Sequence, residues 1–413
     1  MSIITYLIRT HVAPKAALAL LAIEVFNLFN RGMPWRGELV WTVDWVGTAL
    51  VLIGPVLAGA AAIDAGRLSR AGSEYLMPGG GLVSRAYVIT WLAATVPAIA
   101  VHLVTVTVIL LVSNSASQIS PWPSAVAVLA QVCGIAFYAA LGAFCGRLAG
   151  SIAGPPIAVL AGVVLFWQFG TSPGQFSFLM FGRATSSVLG LQYNTNYFLV
   201  QTLCLAVLIL ALMTLPVRVI AGVRRPPHTV TAVSIVAIVA ALVLFPSTKA
   251  ERFVPVTVAP TSCTGENPRV CVYPDHERFL DDAHRAAAQL RAAGAALGVE
   301  DLLPTELRER TPGAGPAPDA RGRFQIPVES FSFHSPGLTM NDLATQMILP
   351  FHCPLLYGDR PPSMEFAEDL NRASYTLLKA GGATGDPMMP PESDMSKDEL
   401  RETIESFRNC RFR

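Results

Sequence analysis

The sequence predicts a mostly α-helical polytopic membrane protein with seven transmembrane helices, followed by a C-terminal α+β domain outside the cell. Three observations carry this. The chain of 413 residues is 52% hydrophobic and only 14% charged, against about 25% charged in ordinary soluble domains. Its charge is divided unevenly: residues 1–248 hold 12 Lys+Arg and 5 Asp+Glu, net +7, whereas residues 249–413 hold 18 and 24, net −6. Apolar runs recur through the first part and end with 229–246, TVTAVSIVAIVAALVLFP.

A helix needs about 20 apolar residues to cross about 30 Å of hydrocarbon. The runs that meet or approach this are 13–30, 41–63, 86–112, 123–146, 152–169, 195–217 and 229–246. The first carries Glu24 and the fifth is short. The N-terminal run lacks a small-residue cleavage site, so a cleaved signal peptide is not expected. Segment 172–192 is apolar but broken by Ser, Gly and Arg183, and reads as a re-entrant or surface helix pair. The domain plan is a six-span unit over 1–225, a seventh helix over 226–248 and an extracytoplasmic domain over 249–413 with two disulfides.

Cationic residues in short loops orient membrane helices. Arg9, Lys15, Arg67, Arg70, Arg85, Arg147, Arg218, Arg224 and Arg225 fall on one side, and Arg31, Arg36 and Arg183 on the other. This bias puts the N-terminus in the cytosol. Seven spans then carry residues 249–413 outside. Cys133, Cys145 and Cys204 lie within spans, while Cys263, Cys271, Cys353 and Cys410 lie in the tail. Four cysteines in an oxidising compartment favour two disulfides. Three pairings exist. Cys263–Cys271, closing a short loop, and Cys353–Cys410, tying the last helix back, are favoured over the other two; four free thiols in a cytosolic domain is the competing reading.

Within the membrane part, Glu24 is costly at bilayer depth and therefore a functional candidate. Asn27 and Asn30 extend its polar edge. Substrate path, proton site and dimer contact are the roles open to it, against a tilted span that leaves it near headgroups. Asp44 and Asp64 flank span two and read as interfacial. His102, in AIAVHLVTV, reads as a hydrogen-bonded structural histidine with no second ligand spaced for a metal.

The most specific stretch is 62–85, AIDAGRLSRAGSEYLMPGGGLVSR. Asp64 to Met77 has helical spacing of Leu68, Ala71, Tyr75 and Leu76, with Arg67, Arg70 and Glu74 off that face, and Pro78 with three glycines stops it. A cytosolic basic helix after span two, then Glu, Leu and a Pro-Gly break, resembles the coupling helix of type-2 ABC exporter permeases. The matching residues are Arg67, Arg70, Gly72, Glu74, Leu76, Pro78 and Gly79. The resemblance covers about 1–225 and is one of pattern; 1–12 would supply the family's N-terminal helix, which is short here, and 172–192 its broken outer helices. It implies that Asp64, Arg67, Arg70, Glu74 and Leu76 couple to a separate ABC-type ATPase subunit carrying ATP and Mg. It also implies a second permease copy or related permease; high Ala, Gly, Pro and Arg with little Lys points to a GC-rich bacterial source, hence a bacterial plasma membrane. The seventh span and outer domain depart from the minimal family.

This chain has no catalytic site of its own in this reading. It lacks a G-x-x-x-x-G-K-[ST] loop, an H-E-x-x-H pair and a G-x-S-x-G elbow; His276-Glu277 is followed by His284 at the wrong spacing for zinc. The acidic tail argues against nucleic acid. Its elements are expected as an extended lead-in over 249–262, a β-type CVY, a helix over 275–297, short strands at RFQIPV and SFSF, and helices over 339–349, 364–379 and 397–409. Ser396 and Glu399 form a capping box. The functional expectation is the membrane subunit of an ATP-driven exporter, with the tail capping the path or binding cargo or a partner. The alternative is a non-transporting scaffold or sensor whose outer domain binds a ligand or protein.

Overall fold

A computed structural model of the chain describes residues 10–29, 37–68, 85–113, 117–170, 179–214, 236, 239, 251–311, 322–331, 337–357, 363–383 and 394–411. The fold is mostly helical. The first part holds α1 (Ala13–Phe29), α2 (Leu39–Thr48), α3 (Leu50–Leu68), α4 (Arg85–Ser113), α5 (Pro121–Gly170) and α6 (Thr195–Thr214). Among the described residues, four stretches are long and apolar enough to cross a membrane: Leu39–Leu68, Tyr87–Val112, Pro121–Phe169 and Thr195–Thr214. Helix α1, with 17 residues, is slightly shorter than these. The expected spans 123–146 and 152–169 are two limbs of α5, separated where Gly150 takes a left-handed φ of 77°. Without a Cβ, glycine adopts that conformation at little steric cost. Residues 229–246 lie outside the described residues except Val236 and Val239, both helical.

Helix α5 packs most closely on α3. A Cβ at Gly142 would stand 2.0 Å from the Ala58 carbonyl oxygen, and one at Gly146 2.3 Å from that of Ala62. Small residues spaced four apart on both helices therefore bring the two backbones together, as in close-packed membrane helices. Exposed apolar side chains line the outside of α4, among them Val96, Val104, Val108 and Leu111.

The two ends of this bundle are distinct. At one end, Asp64 accepts hydrogen bonds from the backbone N–H groups of Val12 and Ala13 (2.8–2.9 Å). Gly66 there meets the backbone of Gly150 and Ser151, and Met213 packs with Ala65 and Tyr87. At the other end lie Gly37, residues 117–119 and the loop 179–190. That loop differs from expectation: its described part carries no helix and runs instead into strand β1 (Leu191–Tyr193). Leu179, Met180 and Phe181 are buried there. The chain turns because Gly182 must lie against the Asp44 carbonyl, where a Cβ would be 2.1 Å away.

Residues 251–411 are seated on this second end. Strand β1 pairs antiparallel with β2 (Phe253–Pro255), and Gln118 donates to Ala259 and Thr261. A four-stranded sheet follows in the order β3 (Ser262–Thr264), β4 (Arg269–Val272), β5 (Glu306–Glu309), β6 (Gly322–Phe324). The first pair is antiparallel and the other two are parallel. Parallel neighbours need a crossover, supplied between β4 and β5 by α7 (Leu280–Leu297) after a 3-10 turn at Pro274–Phe279. Helices α8 (Met340–Ile348), α9 (Met364–Ala380) and α10 (Lys397–Arg408) complete the layer. Val270, Leu290, Leu307, Phe324, Leu343 and Leu377 are wholly buried between sheet and helices. Ser396 and Glu399 cap α10 reciprocally, as the sequence predicts. RFQIPV contributes β6; Ser330 and Phe331 of SFSF belong to a 3-10 turn over Val328–Phe331 instead of a strand, and residues 332–333 lie outside the described residues. Disulfides join Cys263 to Cys271 and Cys353 to Cys410.

Candidate functional site

The strongest concentration of buried charge lies in the seam between the bundle and residues 251–411. Glu38 precedes α2, where the chain enters the bundle; Asp44 lies one and a half turns further along. Both are buried. Asp44 Oδ2 accepts from the backbone N–H groups of Arg183 (2.8 Å) and Ala184 (2.7 Å). Its Oδ1 accepts from Arg252, whose guanidinium also donates to the Phe181 carbonyl at 2.6 Å. One carboxylate thus fixes the loop after α5 and the residue at which the C-terminal part begins.

His276 is the second fastening. Its Nδ1 donates to Glu309 at 2.5 Å and its Nε2 to Glu38 at 3.2 Å. The remaining carboxylate oxygens accept backbone N–H groups, Glu309 from Tyr273 (2.9 Å) and Glu38 from Val188 (3.0 Å). Burial alone would pull the imidazole's pKa down. The charge of Glu309 and the hydrogen bonds that the ring donates to both carboxylates outweigh it, so His276 is pushed up to about 10. It is an imidazolium at neutral pH, held between carboxylates from the bundle and from β5. Phe331 stacks edge-on to both His276 and Trp41, with centroids 5.2 and 5.3 Å apart, and excludes water from the pair. Asp275 beside it has a raised pKa because burial outweighs the hydrogen bond from Ser117. A cavity of about 420 Å³ opens next to His276 and Glu309, between Ser186, Ser187 and Leu189 of the bundle loop and Arg310, Gln325 and Gln346 of the C-terminal part.

A second polar cluster lies inside the bundle. Glu24 of α1 is fully buried, bonded to His102 Nδ1 of α4 at 2.7 Å. His102 Nε2 meets Gln131 Oε1 of α5 at 3.0 Å, and Gln131 Nε2 donates to the Val43 carbonyl at 3.0 Å. Asn27 donates to the Trp45 carbonyl, and Trp45 donates back to the Asn27 carbonyl. The three intramembrane polar residues singled out from sequence therefore have partners, and two of them share one network.

At the far end, Asp64 and Arg67 are the described members of the proposed coupling segment; Arg70, Glu74 and Leu76 lie outside the described residues. Asp64 is buried and caps α1, a favourable place for a carboxylate. Helix α3 continues through it as far as Leu68. Arg67 is half-exposed and donates to the Thr10 carbonyl.

His352, Cys353 and Cys410 come close enough to share a metal ion. The two sulfurs are already joined to each other and His352 donates to the Arg408 carbonyl, so the trio is a disulfide with a neighbouring imidazole. Sequence reasoning missed Glu38, Arg252 and Glu309 and set His276 aside with the zinc motifs. The one available signal was that Glu38 and Asp44 flank the start of an apolar run in a region with 5 acidic residues. No family model, curated protein or solved structure matches the chain.

Proposed function

We propose that this chain is the membrane subunit of an ATP-driven exporter, whose ATPase is a separate P-loop protein docking under residues 64–77. The observation that carries this reading is the path of α2 and α3. They run nearly unbroken from Leu39 to Leu68. One end leads into the segment that resembles a coupling helix; the other carries Glu38 and Asp44, which hold the C-terminal part. Motion of 64–77 is transmitted along this rod to the seam. The seam then loosens or re-forms as the bundle changes state.

The topology in this reading has seven crossings, with the N-terminus cytosolic and residues 251–411 outside a bacterial plasma membrane. Its support is a distance argument. Asn194, at the start of α6, bonds Glu251 and Arg252, whereas Met213, at the end of α6, packs at the Asp64 end. The described residues that flank 215–250 therefore lie at opposite ends of α6, about 30 Å apart for 20 helical residues. The apolar run 229–246 is long enough to span that distance. A second copy or a related permease completes the transport path.

The test is purification from the native membrane. A P-loop ATPase should co-purify and be lost when Arg67, Arg70 and Glu74 are replaced together; repeated purification without any ATPase ends this reading. The seam cavity favours one rival, a ligand-sensing protein without transport. That rival predicts ligand-dependent protection of residues 251–411 from protease and no ATP-linked activity.

A further inference from the structure

The Glu24–His102–Gln131 network contains one more proton than an ionised glutamate beside a neutral histidine would hold. Gln131 is oriented by its own amide: Nε2 must donate to the Val43 carbonyl, so Oε1 faces His102. His102 Nε2 therefore carries a hydrogen. At the opposite ring position, Nδ1 lies 2.7 Å from Glu24 Oε1. An ionised carboxylate and a bare Nδ1 would oppose two lone pairs at that distance. A proton must lie between them, either as imidazolium with carboxylate or as neutral imidazole with carboxylic acid. Both forms make the pair neutral overall. Loss of the proton leaves a buried anion, which is strongly unfavourable in a low dielectric.

We propose that Glu24 and His102 form a proton-binding site inside the bundle, holding one exchangeable proton between Oε1 and Nδ1. The site releases H⁺ to leave Glu24 carboxylate beside neutral His102, and regains it in the reverse step; no other bond changes. Independent observations point to exchange rather than a sealed structural pair. Glu24 Oε2 is fully buried and has no partner among the described residues. Thr95 Oγ and Ser124 Oγ are likewise buried and unpartnered. Thr95 precedes His102 by two turns on α4, and Ser124 precedes Gln131 by two turns on α5, each about 10 Å along the helix. Because α4 and α5 run in opposite directions, one hydroxyl lies toward each end of the bundle from the pair.

Other charged groups on the surrounding helices are committed elsewhere. Asp44 on α2 holds Arg252, Asp64 on α3 caps α1, and Arg147 on α5 lies over the Tyr87 ring. Lys15 on α1, Arg67 on α3 and Arg85 on α4 lie near the helix ends; the Cys133 thiol is the nearest other titratable group to Gln131 in sequence. The inference does not depend on ATP-driven transport and stands if that reading fails.

The experiment is solid-state NMR on the full chain in lipid bilayers, with ring-¹⁵N histidine and carboxyl-¹³C glutamate. Signals are assigned by their loss in H102Q and E24Q. At neutral pH the pair should hold two protons, one on Nε2 and one shared by Nδ1 and Glu24. Alkaline titration should remove one. In E24Q the amide donates to Nδ1 in the proton's place, so His102 should remain neutral and pH-independent. A bare Nδ1 beside ionised Glu24 at neutral pH overturns the site, as does a doubly protonated His102 ring in E24Q. Should E24Q not fold, the wild-type proton count decides alone. T95V with S124A should slow re-protonation after a pH jump at least tenfold; an unchanged rate overturns exchange through these hydroxyls.

Discussion

At the residue scale, the seam depends on His276. Replacing it leaves Glu38 and Glu309 buried without their cation, and breaking a buried ion pair costs about 3–5 kcal/mol. H276A should therefore detach residues 251–411, measured as faster proteolysis of that part and a lower melting temperature. The pH dependence has a definite sign. His276 titrates at about 10 in the folded protein and near 6.5 when unfolded. Its stabilisation is complete below about pH 6.5 and disappears as pH rises toward 10. Thermal unfolding of the wild type should fall across this window; H276Q should lose that component of the slope. Nothing local in the sequence marks this role, because the partners lie 33 and 238 residues away. Glu24 was different: a carboxyl within an apolar run identified itself, and the structure supplied His102 as its partner.

At the element scale, the apolar runs were legible because every turn of a membrane-crossing helix must be apolar, whichever helices it meets. The observed α1, α4 and α6 lie within three residues of the expected limits at each end. The contact between α3 and α5 was not legible, since glycine and alanine are common throughout both. There the prediction concerns volume. Gly142→Ala places a methyl 2.0 Å from the Ala58 carbonyl oxygen. The helices must separate, at a cost of about 1–3 kcal/mol as for other overpacked sites. Unfolding of purified protein by added SDS should show it. The segment 172–192 misled for a related reason. It is apolar because its described part fills the mouth of the bundle, and burial of an irregular loop leaves the same composition as a broken helix. Strand β5, ELRE, escaped notice because Leu307 and Glu309 face inward and its buried acid breaks the usual apolar alternation.

At the scale of the whole molecule, the arrangement of ends carries the prediction. Thr10 and Glu266 are both exposed and lie at opposite ends of the bundle. In the proposed orientation, E266C should react with a membrane-impermeant maleimide on intact cells, while T10C should react only after permeabilisation. The reverse pattern would invert the topology and place the ATPase-docking segment on the wrong side. The Cys353–Cys410 bridge closes a loop across 57 residues and ties α10 to the segment after α8. Cross-links over such spans typically contribute 2–5 kcal/mol in small secreted domains.

By itself the sequence determined the class of structure: long apolar helices followed by an acidic, cysteine-bearing α+β part, with the caps of its last helix in place. Those features follow from local chemistry, namely side-chain hydropathy, helix periodicity and turn residues. Only the tertiary structure decided which partners the buried charges find. Asp64 caps α1, His276 moved from a rejected zinc ligand to the centre of the seam, and Glu24 gained His102 as its partner. The physical reason is that a buried charge is stabilised by whatever group the fold brings beside it, and the chain carries no local record of a partner hundreds of residues away.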